Sequence, residues 1–441
     1  MDTLMTILTE PHGMWESILG AFKGAMGSYI LAVILLAVIV RVVFAVVDVV
    51  NKRFTTKNMQ INQKMQPELE AIQKKYGHDK VLLQKKQQEI YKKYQFNMVS
   101  SCLPMLVAMI LQLVVFLTLW TGLQNVSYYN IAKSYENTKT VYYNVLLLNE
   151  NAELKTKVEE ILSSEKEVNY SNFSVEIDLE NLNMSVQFKD ENGTEIYNEN
   201  ITIIPTSGEE EGDKGVSNKE VYEVIERYAM DKTIVSPLSA EEGKLSEYNL
   251  VIKNLAEEVT ADFYTENLES FLWIKNIYKA ESPTTTPVFD KSEIVSYLQR
   301  YYNDAEKEAE KIHDYEGQIF DYVVEGLNRR DLGANGYYIL VILAVATSFL
   351  SIFINNKLTK KTTGTQSGGK MMYFIMPLIL GLFTLMYTSL FAIYIIVGQI
   401  VMIALSPLTN LIVKKWIEAS DRKKEKKKQE VIDVDYRRKD M

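Results

Sequence analysis

The sequence predicts an all-α membrane core of five transmembrane helices with an inserted α+β extracytoplasmic domain. Five apolar runs are each close to the roughly 20 residues that a helix needs to cross about 30 Å of hydrocarbon. They occupy residues 29–50, 102–123, 337–354, 371–387 and 390–413. Between the second and third runs, residues 125–330 carry 20 Lys/Arg against 41 Asp/Glu. This acidic block is therefore expected to form a domain of its own.

The charges of the connecting segments predict the topology. Segment 51–97 has 11 basic and 4 acidic residues, and the loop after the third run and the chain end are also basic. By the positive-inside rule these three regions face the cytoplasm. The N-terminus and the acidic block then lie outside a plasma membrane, which we expect to be bacterial, and the C-terminus lies inside. Because no basic region or small-residue cleavage site precedes the first run, we expect an uncleaved span.

The predicted segments together account for the whole sequence. They are an amphipathic surface helix (1–27), a first span (28–50), a cytoplasmic helical hairpin (51–97), a second span (98–124), the acidic extracytoplasmic domain (125–335), a third span (336–356), a cytoplasmic loop (357–370), a fourth span (371–388), a fifth span (389–413) and a basic cytoplasmic tail (414–441). The hairpin has only a narrow apolar stripe on each helix. A solvated basic hairpin near anionic headgroups is the alternative interpretation.

The acidic block has a mixed secondary-structure pattern. Helical patterns occupy its first part and recur at 219–230, 244–259 and 292–328. FSVEIDL, LNMSVQF and ENITII alternate apolar and polar residues as half-buried strands do, and Asn192-Gly193 is a plausible hairpin turn. TSGEEEGDKGVSN indicates a flexible linker. These patterns predict an α+β domain.

Bond chemistry, a cofactor and a metal site are not predicted. The three histidines lie in different regions and Cys102 is the only cysteine, so neither a zinc site nor a Cys/His nucleophile can be assembled. GTQSGGKM nearly matches a phosphate loop, but Met371 stands where the loop needs Ser or Thr. A flexible linker is the better interpretation.

One arginine, Arg41, interrupts the first apolar run in LLAVIVRVVFAVV. An arginine near mid-membrane costs roughly 2.5–3.5 kcal/mol on insertion scales, so it usually faces protein or water and marks a pathway. About 15 Å of helix separates it from Asn51, which is far for snorkelling. The alternatives are a pair with Asp48, two turns away on the same face, or contact with headgroups.

Short motifs in the apolar and basic segments follow a distinctive order. In sequence they are IVRVVF, MQPELEAIQKKY, IYKKY, SSCLPMLVAMILQ, SFLWI, YYILVILAVATSFLS, KMMYFIMPLIL and LFAIYIIVGQI. As an ordered set they resemble the YidC/Oxa1/Alb3 family of membrane protein insertases. The resemblance covers roughly residues 10–124, 268–282 and 336–415.

The resemblance implies a polar groove among five helices, open to the cytoplasm and to lipid, with one arginine that Arg41 matches. There the arginine would attract the acidic or polar flank of a nascent span while the apolar helix moves sideways into lipid, without ATP. Tyr394 and Gln399 match the fifth-helix pattern. Other groove residues are chosen by polarity alone: Gln112, Thr118, Thr347, Ser348, Ser351, Thr384, Tyr387 and Thr388. Helix packing is the alternative for any one of them.

The resemblance also assigns roles to the basic segments. The hairpin corresponds to the family's cytoplasmic loop, which receives substrates and targeting factors, and its candidate contacts are Gln66, Pro67, Glu68, Tyr76 and Tyr91. The tail would contact ribosomal RNA or anionic lipid through Lys423, Lys424, Lys426, Lys427 and Lys428. Expected partners are nascent membrane proteins, the ribosome, the signal recognition pathway, the Sec translocon, anionic lipids and an unidentified partner of the outer domain.

Two other function classes fit the sequence. An anion channel or transporter would use Arg41 as an anion site, although inverted repeats and paired broken helices are not found. A membrane-anchored sensor or binding protein would act through its outer domain. Five spans are more than an anchor needs, and this favours the insertase interpretation.

Overall fold

The computed structural model describes residues 8–94, 96, 98–164, 169–206, 215–229, 247–302, 305–328, 330–363 and 370–439. It divides into two compact units. The core unit comprises Ser17–Leu123 and Tyr338–Met441, and the inserted unit comprises Met1–Glu16 and Gln124–Tyr337. GTQSGGKM and the linker predicted after strand ENITII fall largely outside the described residues.

The core unit is built from long helices. They are α1 (Met14–Met26), α2 (Tyr29–Tyr76), α3 (Lys80–Lys93), α4 (Met98–Leu147), α10 (Ile339–Thr363), α11 (Lys370–Met386) and α12 (Ser389–Lys439). The break before α2 has a local cause, because Gly27 has φ +79° and the Ser28 hydroxyl accepts from the Ile30 N–H at 3.1 Å. An N-cap serine satisfies a donor that the first helical turn leaves free.

Among the described residues, four helices are long and apolar enough to cross a membrane. These stretches are Tyr29–Tyr76, Leu106–Glu150, Ile339–Leu358 and Ser389–Lys423. The apolar part of α11, Phe374–Met386, is shorter, and 17 residues of α11 cover only about 26 Å at 1.5 Å per residue. The helical membrane core is confirmed, whereas a fifth span remains a prediction.

The predicted first span and the first hairpin helix form one continuous helix, α2, of 48 residues. The hairpin itself is present. α2 ends at Tyr76, and Asp79 caps α3 by accepting from the backbone N–H groups of Val81 and Leu82 at 3.1 and 3.0 Å. Glu68 on α2 then accepts from Lys93 and Tyr94, each at 2.7 Å, which joins the two arms.

Packing of the core unit is centred on α12, which lies along α2 and α10, while α11 packs on α10. The face of α2 that is buried carries small and aliphatic residues, namely Ala32, Val33, Leu36, Ala37 and Val40. Its other face exposes Val42, Val43 and Val46. Small residues at the interface and exposed aliphatic residues opposite are typical of a helix between protein and lipid.

α4 contacts the rest of the core unit unevenly. From Leu106 to Val114 only Ala108 is buried. One turn further, the ring of Phe116 meets Phe391 edge-on at 5.8 Å, and Trp120 meets Tyr387 at 4.9 Å. Aromatic pairs of this geometry add about 0.5–1.5 kcal/mol each beyond area burial. Phe116 and Trp120 are therefore the residues that attach α4 to the rest of the core unit.

The inserted unit is mostly helical with one small sheet, which is consistent with the predicted inserted α+β domain. Besides the end of α4 it contains α5 (Ala152–Ser163), β1 (Phe173–Asp178), β2 (Asn183–Lys189), β3 (Glu195–Thr202), α6 (Asn218–Ala229), α7 (Glu247–Glu266), α8 (Lys291–Tyr301) and α9 (Ala305–Asn328). The three strands form an antiparallel sheet in the order β1-β2-β3.

All three predicted strands are present, and their alternation explains the sheet. Met184, Val186 and Phe188 of β2 are buried on one face, where Phe188 stacks on Phe173 with ring centres 4.2 Å apart. Gly193 of the predicted turn has φ +80°, a conformation that favours glycine. β3 begins at Glu195, four residues earlier than ENITII indicates.

The helical pattern at 292–328 is interrupted, contrary to the sequence prediction of one helical stretch. α8 ends where Tyr302 adopts an extended backbone, with ψ 143°. The Tyr302 hydroxyl donates to Glu136 of α4 at 2.5 Å. This bond satisfies the buried carboxylate of Glu136. It joins residues far apart in the sequence, so amphipathic periodicity cannot predict it.

That bond belongs to a buried charge cluster in the inserted unit, formed by Tyr135, Glu136, Lys139, Tyr302 and Glu316 and named here the Lys139 cluster. Lys139 Nζ lies 2.8 Å from Glu136 and 2.7 Å from Glu316. Tyr135 donates to Glu316 at 3.1 Å. Burial and the two carboxylates raise the pKa of Tyr302 well above its usual range, so this phenol keeps its proton. The cluster joins α4 to α9.

Candidate functional site: the Arg41 recess

Arg41 lies in the middle of the apolar part of α2, twelve residues after the helix begins, which is about 18 Å along its axis. The side chain is half-buried and lies against α12. Its Nε atom is buried and has no hydrogen-bond acceptor among the described residues. A buried donor without an acceptor is uncommon and calls for an explanation, such as a ligand or water.

Gly398 of α12 makes room for this arginine. A Cβ atom at that position would lie 2.9 Å from Arg41 Nε and 3.6 Å from Cζ. The separation from Nε is shorter than real Cβ atoms show, so the guanidinium would have to shift. The absence of a side chain at Gly398 therefore positions the charge against α12.

We expect Gly398→Ala to leave the protein folded while moving the guanidinium. Alanine is the better helix former by about 1 kcal/mol, so the melting temperature in detergent should not fall. Any activity that depends on the placement of Arg41 should fall severalfold. Gly20→Ala is the matched control, because a Cβ there meets nothing within 4 Å. Equal activity of both variants would show that the placement of the guanidinium is unimportant.

A recess adjoins Arg41 between α2 and α12. Its walls are Arg41, Ala45, Asp48 and Lys52 from α2, with Met402, Leu405, Ser406 and Thr409 from α12. Its cavity volume is about 10 Å³. That is room for roughly one water. The wide groove implied by the family resemblance therefore remains a prediction.

Charged side chains line the recess at both ends. Asp48 accepts from Gln112 Nε2 of α4 at 3.3 Å. Lys52 donates to Asn355 of α10 at 3.3 Å and to Thr409 of α12 at 3.2 Å. Asp48 and Lys52 are one helical turn apart, so their charges offset each other. Arg41 therefore carries the net positive charge of the recess.

The groove residues predicted from the sequence are only partly brought together. Tyr394 is buried within electrostatic range of Arg41, and Gln112 reaches the recess wall through Asp48. Thr118 and Thr347 donate to carbonyls of their own helices, Val114 at 2.9 Å and Leu343 at 2.7 Å. Both hydroxyls therefore bond within their own helices, and their place in a groove remains a prediction. Ser351 is buried and Gln399 is half-buried, and neither lines the recess.

Sequence reasoning did not select Lys52, Asn355, Ser406 and Thr409. Ser406 donates to Asn355 Oδ1 at 3.0 Å, which links α12 to α10 beside Lys52. A signal was available in LSPLTN, which places polar residues three apart within the last apolar run. Residues three apart share a helix face, so Ser406 and Thr409 were predictable as one polar patch.

Two of the five predicted hairpin residues, Glu68 and Tyr76, line an open groove between α2 and α3. Its volume is about 460 Å³, and Glu68, Tyr76, Glu89 and Lys93 are among its walls. Gln66 and Pro67 are exposed and Tyr91 is half-buried. In the tail, α12 extends to Lys439 and exposes Lys423 and Lys426. The side chains of Lys424, Lys427 and Lys428 lie outside the described residues.

Comparison with known proteins matches the segment that carries Arg41. A family model described as 60Kd inner membrane protein matches residues 21–179, which include all of α2 and α4. A protein of Oleidesulfovibrio alaskensis named membrane protein insertase YidC is 36% identical over 104 residues, which are 24% of this chain and 18% of that relative. Residues 21–179 are thus similar to proteins of the YidC/Oxa1 family. Together with the four long apolar helices, these matches support a multi-pass bacterial membrane protein.

Shorter relatives with the same name also match. The protein of Clostridium tetani is 38% identical over 79 residues, 18% of this chain and 34% of the relative. The protein of Fusobacterium nucleatum is 29% identical over 98 residues, 22% of this chain and 46% of the relative. In each case the match spans less than half of the relative's length. No solved structure matches the chain.

Proposed function

We propose that this chain is a membrane protein insertase of the YidC/Oxa1 type that helps nascent transmembrane segments enter the bilayer. The observation that carries the proposal is Arg41, a charged side chain in the apolar part of α2 whose buried Nε has no acceptor among the described residues. The names of the relatives support the same function. The recess beside Arg41 is the proposed contact for the polar flank of a substrate.

The physics of the step follows from the surroundings of Arg41. A carboxylate 4 Å from a guanidinium gains about 4 kcal/mol at an effective dielectric constant of 20. Carrying an aspartate to the centre of a membrane costs about 2.5–3.5 kcal/mol on insertion scales. The attraction therefore offsets the cost of the acidic flank. Burial of the apolar helix in lipid, about 25 cal/mol per Å², then drives the insertion without ATP.

The recess must widen before it can receive a polypeptide flank, because it has room for only about one water. The part of α4 that faces Asp48 is the element best placed to move. It is exposed from Met109 to Val114 and is joined to α2 by the Gln112 bond to Asp48. Segments with few buried contacts open at low free-energy cost. We therefore propose that substrates enter beside α4.

The orientation proposed for this function keeps the N-terminus outside and the C-terminus in the cytoplasm. The hairpin of α2 and α3 would then meet emerging substrates, and the exposed lysines of the tail would meet ribosomal or lipid phosphates. These contacts depend on positive charge, so both should weaken as salt is raised.

Complementation tests the proposal against its rivals. Cells depleted of their own insertase are supplied with this chain, and translocation of the tail of a single-span, N-out test protein is followed by protease protection. We expect translocation to be restored. A sensor acting through the inserted unit predicts no rescue despite normal abundance in the membrane. An anion channel predicts ionic current in planar bilayers instead.

A further inference from the structure

An apolar tip protrudes from the inserted unit at a tight turn. Phe271 and Ile274 exchange two backbone hydrogen bonds of 2.9 Å each, so Leu272 and Trp273 form a two-residue hairpin loop. Leu272 is 75% exposed, while Ile274 and Ile277 beneath it are buried. The turn therefore points a large aliphatic side chain away from the protein.

The backbone at this tip makes the leucine unusual. Leu272 has φ +54°, a left-handed conformation that costs a residue with a Cβ roughly 1–2 kcal/mol. Glycine or asparagine is the common choice in such two-residue loops. An exposed leucine in this position is favoured neither by the backbone nor by contact with water. An apolar environment outside the protein would explain why a leucine stands here.

The chain itself indicates what that environment is. One oxygen of the buried carboxylate of Glu281 accepts from Trp273 Nε1 at 2.7 Å and from the backbone N–H of Tyr337 at 3.1 Å. This shared oxygen holds the tip beside Tyr337. Tyr338 alone separates Tyr337 from α10, which is long and apolar enough to cross a membrane. The start of a span marks the level of the bilayer surface.

We propose that Leu272, Trp273 and Tyr337 form a lipid anchor that rests in the interfacial layer of the bilayer where α10 enters it. Tyr337 is 65% exposed, and tryptophan and tyrosine are the residues enriched at this level of membrane proteins. Leu272 inserts its side chain among the acyl chains. The anchor depends on α10 being a span and does not depend on insertase activity.

Spin labelling tests the anchor in the full-length protein in phospholipid vesicles. Cys102 is the only cysteine, so Cys102→Ser gives a background for single labels. Leu272→Cys and, as an independent second site, Tyr337→Cys are labelled with a nitroxide. Asn192→Cys, at the exposed turn before β3, is the matched control in the same unit. Power saturation measures collisions with oxygen, which concentrates in lipid, and with a water-soluble nickel chelate.

We expect the ratio of oxygen to nickel collisions at 272 and 337 to exceed that at 192 severalfold. Ratios equal to that at 192 would place the tip in water and overturn the proposal. Loss of collisions with both reagents would show that protein covers the tip, which overturns it as well. Because the two sites are labelled separately, failure of one variant to fold leaves the other to decide.

Discussion

Arg41→Ala is expected to lower insertion of a single-span test protein with an acidic N-terminal flank by at least about tenfold. Removal of the guanidinium forfeits an attraction of about 2–4 kcal/mol for the flank, and each 1.4 kcal/mol is a factor of ten in rate. The recess would then retain Asp48 and Lys52, whose charges offset each other. The rate of protease protection in vesicles that contain the purified variant measures the effect.

The flank of the test protein provides the sharpest control. When the acidic residues of the flank are changed to asparagine or glutamine, Arg41→Ala should lower the insertion rate of the test protein much less. Arg41→Lys should retain part of the insertion activity, because lysine keeps the positive charge. Val43→Ala is a matched variant on the exposed face of the same helix. It should insert the test protein at the wild-type rate. If Arg41→Ala lowers the insertion rate equally for acidic and neutral flanks, the arginine does not act through the charge of the substrate.

Lys139→Met should destabilise the inserted unit by about 3–5 kcal/mol. The substitution leaves Glu136 and Glu316 buried without their shared cation, and breaking a buried ion pair in this way is costly because one charge remains uncompensated. The side chain of Lys139 is fully buried between them. Thermal unfolding in detergent, with limited proteolysis to assign the transition to the inserted unit, measures the loss.

An exposed lysine of the same unit serves as the comparison for Lys139. Lys291 pairs with Asp321 at 2.6 Å, and both side chains are about half-exposed. Lys291→Met should therefore change stability by less than about 1 kcal/mol. Adding Glu136→Gln and Glu316→Gln to Lys139→Met should recover part of the lost stability. A Lys139→Met protein as stable as wild type would mean that water reaches the cluster.

Much of the fold was predictable because its signals are local. Hydrophobic runs and charge asymmetry predicted the helical core and a separate acidic unit. The alternation in LNMSVQF predicted β2, and Asn192-Gly193 predicted its turn. Signals that depend on distant residues were not visible. Tyr302 leaves the helical pattern for a bond to Glu136, which lies 166 residues earlier, and no periodicity reports such a partner.

The site was predictable to a similar degree. Arg41 was selected because a charge in an apolar run is improbable unless it is used. Tyr394 was selected through the resemblance to the family; it is buried but does not line the recess, so its role remains a prediction. Thr118 and Thr347 were chosen by polarity, and they bond to their own helices because a hydroxyl can reach a carbonyl one turn back. Lys52 and Asn355 were missed because their meeting depends on how α2, α10 and α12 pack.

Disulfide cross-linking tests the central claim most directly. In the Cys102→Ser background, Ala45→Cys places a thiol in the recess wall, and Val46→Cys places one on the neighbouring, 67% exposed face of α2. A ribosome-bound nascent chain carries one cysteine in the polar flank of its first span. Ala45→Cys should cross-link to this flank, whereas Val46→Cys should not. Cross-linking from Val46→Cys alone, with insertion intact, would contradict a passage beside Arg41.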